Sequence, residues 1–273
     1  MTKKFGIIGN PIKHSLSPTL HNYWFRKYGI DANYSIIEVE NDNFSDTVKK
    51  IRDKEIIGIN ITLPYKQMIV PYIDILINDA KITSSINTLF LDENENLVGE
   101  NTDVFGLQAA YLKELDSALK KRALIIGAGG VSPSVILSLE KSGIKNVSIS
   151  NRTREKCIFL KKKFKNLQII DWKNLRDEIK NFDIIINATS LGLKNEQDFD
   201  FNFEHFKKNL IYIDTIYNPL ETKTLKYLKQ REVKVYNGLY MFIYQGQKSF
   251  YLWNKINPEI DQDLIELLLS KLK

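Results

Sequence analysis

The sequence predicts an α/β protein with two sheet domains, and three observations support this prediction. Over the first hundred residues, short strand-like runs alternate with amphipathic helical segments. A second series of the same kind begins at Arg122, and a glycine-rich turn joins its first strand to its first helix. Because strands that alternate with helices form mostly parallel sheets, each series predicts one sheet domain.

The first series combines strands, helices and a hairpin. Its predicted strands are KKFGIIG, YSIIEVE and IGINITLP, and its predicted helices are LSPTLHNYWFRKYG and NFSDTVKKIRDK. The apolar runs INTLFLD and NLVGENT flank Glu93, Asn94 and Glu95, which is typical of a hairpin. A helix over about 104–120 then leads away from this sheet.

The second series predicts a sheet built from the runs RALIIGAGG, NVSISNR, DIIINATS, LIYIDTIY and VKVYNG. Between these runs, helices are predicted to end at Lys141 and at Phe164, and another covers about 222–229. This series therefore repeats the strand and helix rhythm of the first.

After Gly238 the chain becomes helical again through Asn254. Asn257 as N-cap and Pro258 at the first helical position predict a last helix over EIDQDLIELLLSKLK. We expect these closing helices to pack back on the first domain, which makes that domain discontinuous. The predicted domains are 1–104 plus 239–273, and 105–238.

Composition excludes several classes of protein. The chain has 273 residues, 43% hydrophobic and 26% charged, which is enough for a substantial core. No run approaches the roughly 18 apolar residues of a membrane span, so we expect no membrane partner and a cytoplasmic location. The net charge is +6, but lysines alternate with acids and no aromatic and basic platform is present, so we expect no nucleic acid.

Metal and disulfide chemistry is not predicted either. Cys157 is the only cysteine, which excludes an internal disulfide and a thiol cluster for a metal. His14 and His21 have no suitably spaced acid beside them, so both are interpreted as structural residues. The sequence predicts no metal site.

The glycine-rich turn Gly127-Ala128-Gly129-Gly130 follows the apolar strand ALII and precedes a helical pattern. Glycines in this context permit a tight turn and let backbone N–H groups approach a pyrophosphate at the positive end of the helix. The alternative is a strand-to-helix turn that requires glycine for its own geometry. Pro133 is compatible with the first helical turn, where its missing N–H has no intrahelical partner.

The next strand ends at Asn151-Arg152-Thr153-Arg154, where NAD-binding domains usually carry an acid for the ribose hydroxyl. No acid is present, and arginine pairs well with phosphate, so NADP is favoured over NAD. The second domain is therefore predicted to be a Rossmann NADP-binding domain. The alternative interpretation is a helix start capped by Thr153 with two exposed arginines.

Polar residues also follow the strands of the first domain, at the ends where open α/β sheets bind ligands. Ser15 and Ser17 come just after the first strand and offer hydroxyls to a polyol or carboxylate. Ser17 with Pro18 also fits an N-cap and first helical residue, which leaves Ser15 unexplained.

Asn60 and Thr62 share one face of the third strand, and Lys66 follows it. Asn87 and Asp103 stand in two further polar segments. Oxidation of a secondary alcohol requires removal of the hydroxyl proton as hydride leaves carbon, and Lys66 with Asp103 is the candidate pair. Asp103 either caps a helix or faces the cleft between the domains, where we expect the ligands.

Several motifs occur in a fixed order along the chain. They are G-x-P-x-x-H-S-x-S-P-x-x-H-N over Gly9–Asn22, N-x-T-x-P-x-K over Asn60–Lys66, I-N-T over Ile86–Thr88, N-T-D-x-x-G over Asn101–Gly106, GAGG, NRT, N-A-T-S-x-G over Asn187–Gly192, Y-x-P over Tyr217–Pro219, and G-x-x-M-x-x-x-Q over Gly238–Gln245. Taken together, they resemble the shikimate dehydrogenase family over essentially the whole chain.

This resemblance implies reversible, NADP-linked reduction of 3-dehydroshikimate to shikimate in aromatic amino acid (chorismate) biosynthesis. It implies an acid/base role for Lys66 with Asp103 beside it. The implied substrate contacts are Ser15, Ser17, Asn60, Thr62, Asn87, Tyr217 and Gln245. The implied cofactor contacts are Gly127, Ala128, Gly129 and Gly130 at the pyrophosphate, Asn151, Arg152, Thr153, Arg154 and Lys156 at the adenosine phosphate, and Thr189, Thr215 and Gly238 at the ribose and nicotinamide.

Some positions depart from the family pattern. Lys156 stands where the family often has arginine, Thr215 where it has methionine, and the pair Ser84-Ser85 where it has Gly-Ala. Lysine lacks the planar fork that binds phosphate in two contacts, so Arg152 or Arg154 has to contribute more. The alternatives left open are a quinate/shikimate dehydrogenase with NAD and a non-catalytic NADP-binding paralogue. We expect the protein to be a monomer or homodimer that binds a small-molecule substrate.

Overall fold

The computed structural model describes residues 2–39, 44–113, 115, 120–193, 198–199 and 203–272. The chain divides into two compact units, Met1–Phe105 with Ile243–Lys273, and Gly106–Phe242. Within the described residues, each unit carries a six-stranded sheet with helices. The α/β fold class predicted from the sequence is confirmed. None of the helices in the described part of the chain is long and apolar enough to span a lipid bilayer.

The first unit contains a mixed sheet. Its strands are β1 (Lys3–Ile8), β2 (Ala32–Ile36), β3 (Gly58–Ile61), β4 (Ile75–Leu76), β5 (Thr88–Leu91) and β6 (Leu97–Glu100), in the order β2-β1-β3-β5-β6-β4. β1 is parallel to β2 and β3, whereas β5 is antiparallel to β3 and β6. The hairpin predicted from the two apolar runs is therefore present as β5 and β6.

The register of this sheet brings the predicted polar segments together. Asn60 of β3 lies opposite Thr88 of β5, and Thr88 lies opposite Glu100 of β6. The segments that follow β3, precede β5 and follow β6 therefore meet at one end of the sheet. These segments contain Lys66, Asn87 and Asp103.

The second unit contains a parallel sheet. Its strands are β7 (Arg122–Ile126), β8 (Asn146–Ser150), β9 (Gln168–Ile169), β10 (Ile184–Asn187), β11 (Ile211–Asp214) and β12 (Lys234–Tyr236), in the order β12-β11-β10-β7-β8-β9. The strand order reverses between β7 and β10, and dinucleotides bind beside such a reversal in sheets of this type. The glycine-rich turn follows β7 directly.

The helices agree with the predicted pattern in most places. They are α1 (Ser17–Lys27), α2 (Ser45–Arg52), α3 (Asn78–Thr83), α4 (Asp103–Leu107), α5 (Ser132–Lys141), α6 (Arg154–Lys163), α7 (Leu175–Glu178), α8 (Lys223–Lys229), α9 (Leu239–Asn254) and α10 (Gln262–Ser270). The helix predicted over about 104–120 divides into α4 and a π-helical turn, Gln108–Leu112, and its end at 114 and 116–119 lies outside the described residues.

Aromatic packing explains why the first unit includes a C-terminal stretch of chain. The ring of Phe250 in α9 lies 5.5 Å from Trp24 and 5.2 Å from Phe25, both in α1. Phe25 also lies 5.0 Å from Phe5 in β1. All four side chains are at most 1% exposed. Because large aromatic side chains bury much apolar surface, this cluster ties the two stretches of the unit to one core.

The predicted start of the last helix is wrong. Asn257 is exposed, and α10 begins only at Gln262, after Asp261. The Asp261 carboxylate accepts a hydrogen bond of 2.9 Å from the Leu264 amide and another of 2.8 Å from the Tyr23 hydroxyl, and it pairs with Lys27. Asp261 is the N-cap residue because α1 supplies these additional partners. A local sequence pattern cannot show partners that lie so far away along the chain.

Replacing Asp261 by Ala should lower the free energy of unfolding by about 2 kcal/mol, because the change removes both a helix cap and the contacts with α1. Urea denaturation followed by circular dichroism measures this. Asn257→Ala is the matched control, since Asn257 is exposed and caps no helix, and it should cost less than about 0.5 kcal/mol. Equal losses in the two variants would contradict the capping role of Asp261.

Candidate functional site

A buried ion pair lies at the polar end of the first sheet. Lys66 follows β3, and its backbone carbonyl accepts a 2.8 Å hydrogen bond from the Ile86 amide. Its Nζ donates to Asp103 Oδ2 over 2.5 Å, with only 10% and 6% of the two side chains exposed. Opposite charges removed from water persist only when further hydrogen bonds satisfy them. Asp103 therefore faces this polar cluster as well as beginning α4.

Asn87 supplies a further hydrogen bond to Asp103 and connects it to its neighbours. Its Nδ2 donates to Asp103 Oδ1 over 2.9 Å and to Thr102 Oγ1 over 2.9 Å, and it lies 3.1 Å from Gln245 Oε1. Its Oδ1 accepts from the Thr102 amide at 2.7 Å. The structure thus brings four of the predicted residues, Lys66, Asn87, Asp103 and Gln245, into one network.

Asn60 lies behind this network, with 4% of its surface exposed. Its Oδ1 accepts a 2.7 Å hydrogen bond from the Tyr34 hydroxyl, and its Nδ2 donates to the Asn87 carbonyl at 2.9 Å and to Ser249 Oγ at 3.0 Å. Both polar atoms of the Asn60 side chain therefore make hydrogen bonds within the protein, and Nδ2 holds the backbone of Asn87.

The serines after β1 have a different arrangement from the predicted one. Leu16 occupies the N-cap position of α1, and Ser17 is the first helical residue, so the predicted capping role of Ser17 is wrong. Ser15 Oγ instead accepts from the Ser17 amide and donates to Ser17 Oγ, both over 3.2 Å. The Ser15 hydroxyl thus organises this turn by bonding the backbone two residues on.

Thr62 lies close to the loop that follows β1. A Cβ added at Gly9 would stand 2.4 Å from Thr62 Cγ2, so the loops after β1 and β3 approach each other closely. Because these strands are adjacent and parallel, their carboxyl ends share one edge of the sheet. Ser15, Ser17 and Thr62 therefore belong to the same end of the unit as Lys66.

Sequence analysis missed part of the network. The Ser249 hydroxyl lies 2.7 Å from Thr88 Oγ1 and 3.2 Å from Thr102 Oγ1. Ser249 stands four residues after Gln245 on α9, and such pairs share one face of a helix. That spacing is the signal from which Ser249 could have been predicted.

The glycine-rich turn of the second unit contains glycines of two kinds. Gly127 has a φ of +112°, and a Cβ there would meet the Ala188 carbonyl oxygen at 2.7 Å. The fold itself therefore requires glycine at 127, as the alternative interpretation of this motif holds. A Cβ at Gly129 would find only the Ala188 carbonyl oxygen, at 4.0 Å. Within the described part of the chain, no close contact explains the glycine at 129.

Asn151 ties the glycine-rich turn to the segment after β8. Its Oδ1 accepts from the Ala128 amide at 3.1 Å, and its Nδ2 donates to the Thr153 carbonyl at 2.9 Å. Thr153 occupies the N-cap position of α6, but its side chain makes no capping hydrogen bond, so the predicted side-chain cap is wrong. Asn151 holds the segment that precedes α6 by bonding the Thr153 carbonyl.

A pocket of about 360 Å³ opens at the ends of β8 and β9. The predicted residues Asn151, Arg152 and Arg154 line it, whereas Thr153 and Lys156 do not. Its other lining residues are Cys157, Ile169, Ile170, Asp171, Trp172 and Lys173. Burial raises the pKa of the Cys157 thiol, which keeps that side chain neutral.

Sequence analysis missed the β9 side of this pocket. The short apolar run that ends at Ile170 precedes Asp171, Trp172 and Lys173 and was not assigned to a strand. A run this short has no periodicity to distinguish it from a loop. The regular alternation of strands and helices in this unit was the signal from which a strand between β8 and β10 could have been predicted.

The remaining predicted cofactor residues surround Asn187, the last residue of β10. Thr189 Oγ1 donates to Asn187 Oδ1 at 2.7 Å, and Thr215 Oγ1 donates to the Asn187 carbonyl at 2.9 Å. A Cβ at Gly238 would come within 2.3 Å of the Thr215 carbonyl oxygen, so packing alone requires this glycine. The ring of Tyr217 stacks on Phe242, with 4.7 Å between centroids.

A buried carboxylate holds this second polar cluster together. Asp214 is 0% exposed and accepts hydrogen bonds of 3.0 Å from the Ile216 amide, 3.0 Å from Thr222 Oγ1 and 3.1 Å from Asn187 Nδ2. Burial raises its pKa from 3.8 to about 7, against the lowering effect of these hydrogen bonds. Sequence analysis did not single out Asp214.

The described residues hold no group of three or more His, Cys, Asp or Glu side chains placed to bind a metal ion. The polar cluster around Lys66 consists of amides, hydroxyls, one ammonium group and the carboxylate of Asp103. The polar cluster around Asn187 consists of amides, hydroxyls and the carboxylate of Asp214. Such groups bind polyols, carboxylates and phosphates through hydrogen bonds and charge.

Comparison with known proteins assigns the chain to a family. The family model described as shikimate dehydrogenase substrate binding domain matches residues 7–89, and that described as shikimate / quinate 5-dehydrogenase matches residues 110–219. A Pelagibacter ubique protein named shikimate dehydrogenase (NADP(+)) is 46% identical over 268 residues, which cover 98% of this chain and 99% of that protein. The chain belongs to the shikimate dehydrogenase family.

Solved structures of this shikimate dehydrogenase family share the fold. The crystal structure of Aquifex aeolicus shikimate dehydrogenase has a TM-score of 0.88 at 35% identity, covering 97% of this chain and 96% of that one. Thermus thermophilus shikimate 5-dehydrogenase in complex with NADP(H) and shikimate has a TM-score of 0.87 at 29% identity, covering 99% and 100%. The family resemblance predicted from the motifs is confirmed.

The buried Asp214 predicts a pH dependence of stability. Because its pKa is raised in the folded state, the folded protein holds a proton between about pH 4 and pH 7 that the unfolded chain releases. The free energy of unfolding therefore falls as pH rises through this window. Asp214→Asn mimics the neutral form, so wild type should lose on the order of 2 to 4 kcal/mol relative to this variant between pH 4.5 and 7.5.

Urea denaturation at a series of pH values measures this difference. Asp177→Asn, which removes an exposed carboxylate of α7, is the control and should change the free energy of unfolding by less than about 0.5 kcal/mol at each pH. A constant difference between wild type and Asp214→Asn across the window would contradict the raised pKa.

Proposed function

We propose that this protein is an NADP-dependent shikimate dehydrogenase, which reversibly reduces 3-dehydroshikimate to shikimate in aromatic amino acid (chorismate) biosynthesis. The observation that carries the proposal is the buried pair Lys66 and Asp103, held by Asn87 in a chain that belongs to this family. We also propose a cytoplasmic location and a monomer or homodimer without nucleic-acid or membrane partners.

Lys66 has the geometry of an acid/base residue. Asp103 occupies one of the three hydrogens of the ammonium group, so the others can bond the oxygen of the substrate. In the reducing direction, Nζ gives a proton to the carbonyl oxygen as hydride reaches the carbon, and in the oxidising direction it takes that proton back. Asp103 keeps Nζ in place by accepting its hydrogen bond.

The hydroxyls and amides around this pair are suited to a small polyhydroxylated carboxylate. We propose that Ser15, Ser17 and Thr62 bind it from the loops after β1 and β3, and that Asn87 and Gln245 bind it from the network. We propose that Asn60 acts through Asn87, because its own amide is already bonded within the protein. The substrate role of Tyr217 stays a prediction.

The second unit fits a phosphorylated dinucleotide. Gly129 leaves open space beside the start of α5, where a pyrophosphate can approach the backbone. Arg152 lines the pocket at the end of β8, and the segment 151–154 contains no acid. When bound, the reduced cofactor NADPH would supply the hydride and the oxidised cofactor NADP would accept it. We propose that Ala128, Gly130, Thr153, Lys156, Thr189, Thr215 and Gly238 contribute backbone or side-chain contacts around it.

The purified protein should reduce NADP when shikimate is added, and Lys66→Ala should lower kcat by about 100-fold or more because it removes the proton donor and acceptor. Absorbance of the reduced nicotinamide measures turnover, with shikimate or quinate and NADP or NAD in all combinations. Calorimetric binding of NADP should stay within about twofold of wild type, because the proposed NADP contacts lie in the other unit.

Removal of Lys66 alone leaves a buried charge on Asp103 and destabilises the fold, so a second variant is needed. Lys66→Met combined with Asp103→Asn gives a neutral pair, which should fold and bind NADP yet lack turnover. Lys54→Ala, at an exposed ion pair with Glu95, is the control for loss of a lysine. Faster turnover with quinate and NAD would instead support the quinate/shikimate branch, and no turnover with any combination would support a non-catalytic paralogue.

The two glycines give a further prediction. Gly129→Ala should fold as wild type does but bind NADP about tenfold or more weakly, because its methyl group enters the open space proposed for the pyrophosphate. Gly127→Ala should instead lower the melting temperature, since its φ and the Ala188 carbonyl leave no room for a side chain. Undiminished NADP binding by Gly129→Ala would show that the open space has another use.

A further inference from the structure

The pocket at the ends of β8 and β9 carries an unusual distribution of charge for an anion site. Three cationic side chains line it, Arg152, Arg154 and Lys173, together with one carboxylate, Asp171. Its remaining lining groups are neutral. The carboxylate is therefore the one element of this lining that opposes a phosphate.

Asp171 is paired with one of these cations. Its Oδ1 contacts Nη1 of Arg154, and 41% and 52% of the two side chains are exposed. Arg152 has no ion-pair partner among the described residues. The two arginines thus differ, because the guanidinium of Arg154 is bonded to a carboxylate while that of Arg152 is available.

The Asp171 side chain does not cap the turn that it begins, so capping does not explain the presence of a carboxylate at this position. Asp171 occupies the N-cap position of the 3-10 turn Trp172–Asn174, but its side chain makes no capping hydrogen bond. The turn is closed by the backbone, through the Asn174 amide and the Asp171 carbonyl at 2.9 Å. Replacement of the carboxylate therefore leaves the fold of this segment in place.

We propose that Asp171 is a specificity-determining residue that competes with the 2′-phosphate of NADP for Arg154 and so limits the preference for NADP over NAD. The proposal rests on the proposed function. The carboxylate of Asp171 offsets the charge of Arg154 and engages its Nη1, so this arginine offers the phosphate less attraction and fewer free donors than an unpaired arginine does.

The same arrangement assigns the main phosphate contact to Arg152. NAD carries a hydroxyl where NADP carries the phosphate, so the charge of Asp171 discriminates between the two cofactors. The effect of Asp171 should consequently appear in the affinity for NADP and leave the affinity for NAD unchanged.

Calorimetric titration with NADP and with NAD tests this proposal. Asp171→Asn should bind NADP about 3- to 10-fold more tightly than wild type, with NAD affinity within about twofold. Arg154→Ala alone should weaken NADP binding by less than about twofold, because Arg154 is already occupied. In the Asp171→Asn background, Arg154→Ala should abolish the gain, which is the non-additivity expected of two groups in contact.

Glu232→Gln is the matched control, since it removes the same charge from the exposed turn before β12, at the opposite edge of the sheet. It should leave both affinities unchanged. The gain in Asp171→Asn should also shrink between 50 mM and 500 mM salt, because exposed charges are screened.

Three outcomes overturn the proposal: unchanged NADP affinity in Asp171→Asn, equal changes for NADP and NAD, or a gain that persists when Arg154 is removed. Equal changes would place Asp171 against the part of the nucleotide that both cofactors share. Failure of the proposed function is recognised separately, because wild type would then not oxidise shikimate with NADP.

Discussion

The ammonium group of Lys66 and the carboxylate of Asp103 stand 2.5 Å apart in a place that water barely reaches. Removing both charges from water is unfavourable, and their attraction offsets this cost only with precise support. Asn87 provides that support by bonding Asp103, and Asn60 provides it one step further away by bonding the backbone of Asn87. Much of the first unit's polar interior is organised around this requirement.

The second unit also contains a buried carboxylate that is bonded to an asparagine. Asp214 is buried at the end of β11 and bonds Asn187 at the end of β10, and Asn187 in turn bonds Thr189 and Thr215. In both units, polar side chains at the ends of neighbouring strands hold the loops that follow them. Loops held in this way present their outer hydroxyls and amides with little freedom, which favours ligand binding without a large ordering cost.

Much of the fold was predictable because its signals are local. The apolar runs of β7, β8, β10 and β11 and the glycine turn after β7 stand in the order expected of a dinucleotide-binding sheet. The polar segments of the first unit also predicted Lys66 and Asp103 as an acid/base pair, and this role stays a prediction. The family assignment made from the motifs is confirmed over most of the chain by the comparisons.

Other features depend on partners that are distant in sequence. Asp261 replaces the predicted cap Asn257 because Tyr23 and Lys27 of α1 reach it. β9 is too short to show a period, so Asp171 was not recognised as a neighbour of Arg154. Asn151, predicted as a cofactor contact, is occupied by the glycine turn and the Thr153 carbonyl.

The sequence by itself determined the two-sheet α/β class, the family and the glycine turn, because residue type and spacing carry that information. It also proposed Lys66 and Asp103 as the acid/base pair. Only the tertiary structure decided which polar groups are already bonded within the protein and which are available to a ligand. Hydrogen-bond capacity is consumed by neighbours in space. The side-chain amides of Asn60 and Asn151 are bonded within the protein, whereas Arg152 has no ion-pair partner among the described residues and the space beside Gly129 is open.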